Sequence, residues 1–159
     1  LSKKLKIAGF VLLLLCLGFF REYFFVSING VLFNKNYNPA GYDIHVISPP
    51  LRFLNVFSYN TLYISKWFIT PFFVLLFWFI QKRFLSLIFN EKKTTHWLSV
   101  LYLSLLLLAG IAFFAGWMIG HLHGGYRFSR IFMGLAESPV PCMILIPLTY
   151  FYKNYNTEI

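Results

Sequence analysis

The sequence predicts an all-α membrane protein: a bundle of four transmembrane helices with both termini cytoplasmic and a structured outer loop between helices 1 and 2. Three observations predict it. Hydrophobic residues fill 58% of the 159 positions and charged residues only 12%, more apolar surface than a soluble domain of this size could bury, so lipid must be its outer solvent. The apolar residues fall into blocks separated by charges, the layout of spanning segments. The basic residues sit at the ends of those blocks and divide unevenly, with Lys3, Lys4, Lys6, Lys82, Arg83, Lys92, Lys93 and Lys153 on one side and Lys35, Arg52, Arg127 and Arg130 on the other. The richer side is cytoplasmic by the positive-inside rule. The formal charge of +9 therefore reads as topology and headgroup contact and not as a nucleic-acid surface. Residues 1–159 make one membrane domain.

The first helix is placed at residues 5–28. Lys3, Lys4 and Lys6 precede an uncharged run, 7–20, that is too short for a crossing of about 20 residues unless it continues past Arg21 and Glu22 through Tyr23-Phe24-Phe25-Val26. A basic start and an apolar run are also the shape of a signal peptide, and Leu13-Leu14-Leu15-Cys16 resembles a lipoprotein cleavage site. The bulky Leu15 and the apolar run beyond Cys16 argue against cleavage. Cys16 and Cys142 each lie inside an apolar block and are expected to be packed small hydrophobes with no disulfide between them.

Asn29-Gly30 reads as the end of this helix, and residues 34–57 as the outer loop. Its first part, Asn34-Lys35-Asn36-Tyr37-Asn38-Pro39-Ala40-Gly41, is dense in turn formers. Pro49-Pro50 stiffens it, and 51–57 is amphipathic enough to lie in the interface. The second helix is placed at 61–80, closed by Gln81-Lys82-Arg83 and kinked at Pro71; Phe84 to Phe89 continues it or lies along the cytoplasmic interface. The third, 97–119, contains no charge, and Ala112, Gly116 and Gly120 recur every fourth residue, a seam that admits a close helix backbone from a partner or a second copy. Residues 121–126 form a short outer turn. The last helix, 128–151, carries Glu137, Pro139, Pro141 and Pro147, so it must bend or break, and the freed carbonyls need donors from neighbours.

Candidate chemistry lies in ionisable residues placed at membrane depth in the outer half, Arg21 and Glu22 on the first helix, Lys66 on the second, and Arg130 and Glu137 on the fourth, with Arg127 just before that helix as a further candidate ligand-binding residue. Charge at that depth is costly unless paired or hydrated, so these groups are expected to face the bundle interior. Two readings are open. One is an anion site for a phosphate or carboxylate headgroup, with Glu137 as a proton acceptor; the other is an ion-pair network that fixes helix register.

His121 and His123 with His45 are weak candidates for zinc, because a tetrahedral site needs three or four ligands together and no cysteine or carboxylate is close in sequence. His96 falls on the inner side, away from the other histidines, which disfavours a bis-histidine haem. No cofactor is expected. Cys142 lies between Pro141 and Met143, deep in the last helix without a basic neighbour, a poor setting for a nucleophile. No nucleotide loop, metalloprotease helix or serine elbow appears.

Leu17-Gly18-Phe19-Phe20-Arg21-Glu22, Leu62-Tyr63-Ile64-Ser65-Lys66-Trp67, and Arg127-Phe128-Ser129-Arg130 through Met133-Gly134-Leu135-Ala136-Glu137-Ser138-Pro139-Val140-Pro141 resemble a family of small four-helix inner-membrane proteins of Bacteroidetes. The layout is also loosely similar to exosortase-associated small membrane proteins in helix count and in the basic entry to the final helix. The resemblance implies the inner membrane of a Gram-negative bacterium and sets Arg21, Lys66, Arg130 and Glu137 within its segments; it implies no activity. Two functions follow as expectations. The first is a non-enzymatic subunit or assembly factor of a membrane complex, supported by small size, the small-residue seam and the lack of a complete catalytic constellation. The second is an enzyme or carrier that binds an anionic lipid or lipid-linked substrate in a pocket open to the outer side.

Overall fold

The computed structural model describes residues 2–37, 49–89 and 92–157. Among these every regular element is helical: α1 Lys3–Tyr37, a 3-10 helix Pro49–Val56, α2 Tyr59–Phe89, α3 Lys92–Met118, α4 Leu122–Ala136 and α5 Val140–Thr157. α1, α2 and α3 are each long and apolar enough to cross a bilayer, and α4 with α5 passes the same test as a pair bent by 58°. Among the described residues there are thus three helices of membrane-spanning length and hydropathy, or four such spans if the bent pair counts as one.

The chain divides into two compact units, residues 16–73 and residues 1–15 with 74–159. In the first, α1 runs beyond the expected stop at Asn29-Gly30 to Tyr37. A mid-helix glycine costs about 1 kcal/mol, but Val31 and Leu32 on these extra turns, with Ile28 just before them, are buried against Leu51 and Leu54 of the 3-10 helix and Leu62 of α2. Burial of one such side chain is worth about 1.5–3 kcal/mol, so packing outweighs the local stop signal. Lys35 fastens the end of the arrangement by donating to the backbone carbonyls of Asn55, at 3.0 Å, and Phe57. Residues 34–37 of the expected loop are therefore helix. Residues 38–48 of that loop lie outside the described residues.

The amphipathic reading of 51–57 holds: Leu51 and Leu54 face inward, while Arg52, Phe53 and Val56 are uncovered by protein. Ser58 begins α2 as its hydroxyl accepts from the Thr61 backbone N–H at 3.2 Å. α2 keeps Pro71 inside one continuous helix and continues through Gln81-Lys82-Arg83 to Phe89, longer than the expected 61–80.

In the second unit the start of α1 meets the end of α2, with Phe10 and Phe84 rings 6.0 Å apart and Lys3 Nζ donating to the Ile88 carbonyl at 3.4 Å. α2 meets α3 through Trp78 Nε1, which donates to Ser99 Oγ at 3.3 Å. α3 and α4 form the closest pair. A Cβ built on Gly116 would stand 2.4 Å from Gly125 Cα, and one on Gly125 would stand 2.6 Å from Gly116 Cα and 2.8 Å from the Ala112 carbonyl oxygen. The seam of Ala112 and Gly116 is thus filled by the chain's own α4. Gly120 takes no part in it; its φ of 75° turns the chain after α3, a conformation that costs glycine nothing.

The turn is shorter than the expected 121–126, because α4 already begins at Leu122. The expected helix 128–151 divides in two at Glu137, Ser138 and Pro139. The prolines explain the break. Pro139 has no N–H for the Leu135 carbonyl, and the Ser138 hydroxyl donates to that carbonyl instead at 2.7 Å. The same hydroxyl accepts from the Val140 N–H at 3.3 Å. Gln81 of α2 reaches across so that its Nε2 donates to the Ser138 carbonyl at 2.6 Å. A neighbouring helix was expected to supply donors at the break: Gln81 supplies one, to the Ser138 carbonyl, while the Leu135 carbonyl is served by the adjacent Ser138 hydroxyl. At its far end α5 returns to the start of α3, where Lys93 Nζ donates to the Tyr152 hydroxyl at 2.6 Å and the Trp97 and Tyr152 rings meet edge to face at 5.2 Å.

Candidate functional site

The charged residues singled out in the sequence belong to both units. In residues 16–73, Arg21 pairs with its neighbour Glu22 at 2.8 Å and lies 5.0 Å over the Phe25 ring. Glu22 is 65% uncovered by the rest of the chain, and pairing with Arg21 lowers the cost of holding either charge on a spanning helix. Lys66 Nζ donates to Asn29 Oδ1 at 2.7 Å, an ion–dipole bond between α2 and α1. These contacts hold Arg21, Glu22 and Lys66 in local networks within their own unit.

Arg127, Arg130 and Glu137 belong to the other unit and part company there. Glu137 is 2% exposed and caps α4 at the break, with its backbone N–H donating to the Met133 carbonyl at 2.9 Å. Arg127 and Arg130 are exposed. They open with His123, Gly124 and Tyr126 into a cavity of about 360 Å³. At 3.6 residues per turn, positions 123, 126, 127 and 130 fall within about 100° of arc, and position 125 lies on the opposite side. Gly125 is the residue seated against α3. The fold therefore turns the basic face away from α3 by fixing the back of α4 through the glycine contact.

Neither Arg127 nor Arg130 has an acidic partner among the described residues. Ile131, 55% exposed, adjoins the basic face one turn beyond Arg127, whereas Phe128 falls well around the helix towards the Gly125 side. A guanidinium fork matches the oxygens of phosphate or carboxylate, and the Tyr126 hydroxyl and His123 imidazole add donors. These side chains are donors of the kind that bind anions, and they sit beside one apolar residue, Ile131. The sequence identified both arginines but not their companions, because the last helix was started at 128 and His123 and Tyr126 were assigned to a turn. The 123, 126, 127, 130 spacing carries the signal once α4 begins at Leu122.

A second polar feature lies inside this unit. Gln81, Thr94, Tyr102 and Thr149 are buried, and Gln81 Oε1 and the three hydroxyls have no hydrogen-bond partner among the described residues. Gln81 had been read as a polar helix end; it is fully buried and serves the broken backbone. Among the described residues no three metal-ligating side chains gather. His121 and His123 are exposed, and His45 lies outside the described residues. Cys142 is buried as expected, whereas Cys16 is exposed on α1, because an apolar run on a spanning helix includes the side that faces lipid. Neither the protein-family models, nor the curated proteins, nor the solved structures contain a match to this chain.

Proposed function

We propose that this chain is a four-crossing membrane protein that holds the anionic headgroup of a lipid or lipid-linked molecule in the basic groove of α4. The observation that carries this reading is the pair Arg127 and Arg130, two guanidinium groups opening into one cavity without an acidic partner among the described residues. Exposed Ile131, one turn beyond Arg127, supplies an apolar flank beside the cations, which suits a ligand with both a charged head and acyl chains. The fourth crossing is the α4 and α5 pair. Support comes from its contacts with α3 at both ends, Gly125 on Gly116 and Tyr152 on Lys93 and Trp97, which a segment returning to its side of entry would not make. The charge asymmetry puts both termini in the cytoplasm and the groove on the outer side. The inner membrane of a Gram-negative bacterium as its location, and kinship with the Bacteroidetes proteins, rest on the sequence resemblance alone.

A role as a subunit or assembly factor is a second reading. Only 22%, 33% and 17% of the spanning windows of α1, α2 and α3 are buried within the chain, leaving faces that partner helices or lipid must cover. Native mass spectrometry of the protein extracted in mild detergent from its own membranes separates the two readings. The lipid reading expects a retained anionic lipid that is lost in Arg130→Ala, and retention unchanged in that variant refutes it. A co-purifying protein with no lipid dependence on Arg130 favours the subunit reading.

A further inference from the structure

The groove on α4 carries more information than a preference for negative charge. Its lining residues, His123, Gly124, Tyr126, Arg127 and Arg130, include no acid. Glu137, the next acidic residue along the chain, is buried at the C-terminal end of the helix. Both guanidinium charges are permanent, so the cavity presents two fixed positive charges. A phosphodiester headgroup brings one negative charge and two non-bridging oxygens, which leaves one guanidinium uncompensated. A terminal phosphate monoester brings a charge of about −1.5 to −2 at neutral pH and three free oxygens, and a terminal diphosphate brings at least as much. Two guanidinium forks that each seek paired oxygens are matched by such a group and not by a phosphodiester.

Resting on the headgroup reading above, we propose that the α4 groove selects lipids whose headgroup ends in a phosphate monoester or diphosphate over phosphodiester lipids. The terminal phosphate sits between Arg127 and Arg130, with the Tyr126 hydroxyl as a further donor. The acyl or prenyl chain leaves past Ile131, one turn beyond Arg127. The same anionic chemistry could come from free phosphate, but a soluble ion makes no use of the apolar flank.

The test uses the full-length protein in mild detergent with lipids of matched acyl chains: phosphatidic acid, phosphatidylglycerol and phosphatidylcholine, with inorganic phosphate and pyrophosphate as soluble competitors. Lipid retention is read by native mass spectrometry for the wild type, Arg127→Lys, Arg130→Lys and Arg52→Lys, the last an exposed cation on the 3-10 helix. The expected result is phosphatidic acid retained about tenfold over phosphatidylglycerol, a preference that falls in both groove variants and stays unchanged in Arg52→Lys. Lysine keeps the charge but loses the fork, so ordinary attraction of basic side chains to lipid phosphate would leave the preference intact. Equal retention of phosphatidic acid and phosphatidylglycerol, both above phosphatidylcholine, overturns this proposal and leaves the headgroup reading standing. Retention of all three alike overturns both. Displacement of phosphatidic acid by low concentrations of inorganic phosphate overturns the assignment to a lipid.

Discussion

Replacing Gly125 with alanine tests the α3 to α4 contact most directly. The new methyl would meet Gly116 Cα at 2.6 Å, the Ala112 carbonyl oxygen at 2.8 Å and Gly116 N at 3.0 Å. Carbon atoms rest at about 3.5–4.0 Å, so the helices must separate by roughly 1 Å, and all three obstructing atoms are backbone, with no rotamer to yield. Overpacking of this kind costs about 1–3 kcal/mol, a fall of about fivefold or more in the folding equilibrium constant. Gly134→Ala on the same helix is the control: nothing lies within 4 Å of its Cβ position, and alanine favours the helix by up to about 1 kcal/mol. The assay is unfolding in mixed micelles of rising SDS fraction, followed by circular dichroism. Gly125→Ala should unfold at clearly lower SDS than the wild type, and Gly134→Ala at the same or higher SDS. If the two variants unfold together, the glycine contact does not hold α4 in place.

The stitched break supplies the next expectation. Ser138→Ala leaves the Leu135 carbonyl without its hydroxyl donor and should cost about 1–3 kcal/mol, whereas Gln81→Leu removes both a bond to Ser138 and an unsatisfied Oε1 and should cost less; the same SDS titration ranks them, and the reverse order would count against this account. Tyr102→Phe removes a buried hydroxyl with no partner among the described residues and should be neutral or stabilising by up to about 1 kcal/mol; a loss larger than that would reveal a bridging water. Single cysteines at Gly124 and Lys153, in a background lacking Cys16 and Cys142, should react with a membrane-impermeant maleimide from opposite sides of the membrane. Labelling from the same side would make α4 and α5 a re-entrant loop.

The long apolar segments were plain in the sequence because length and hydropathy are local properties, and α3 is the clearest case. The end of α1 was not, since Asn29-Gly30 is a true local stop signal and only the distant Leu51, Leu54 and Leu62 make it advantageous to continue. Pro139 and Pro141 announced a break and a need for donors, but nothing in a linear reading could assign that duty to Gln81, whose neighbours Lys82 and Arg83 suggested a helix end. The small-residue seam was recognised as a packing surface, and its occupant proved to be Gly125, nine residues beyond Gly116 and thirteen beyond Ala112, hidden inside what looked like a turn. Of the candidate residues, Arg127 and Arg130 lie together in the groove with His123 and Tyr126. Arg21, Glu22 and Lys66 make contacts within their own unit, where charge pattern alone could not foresee that Asn29 would answer Lys66.

If α4 and α5 make one crossing, as proposed, the closeness of Gly116 and Gly125 also bears on how that crossing enters the bilayer. α4 has 15 residues, about 22 Å of helix against a hydrocarbon core of about 30 Å, and it carries two arginines that disfavour insertion by the translocon. Alone it is too short and too polar to leave the aqueous channel. Seated on α3, which is apolar throughout the segment opposite, it can move into lipid as the second arm of a hairpin. α5 then completes the crossing once the break is bridged from α2. Biogenesis of this half of the chain would thus proceed by paired entry, and a glycine substitution that weakens the pair should leave the C-terminus on the wrong side of the membrane before it visibly alters the finished fold.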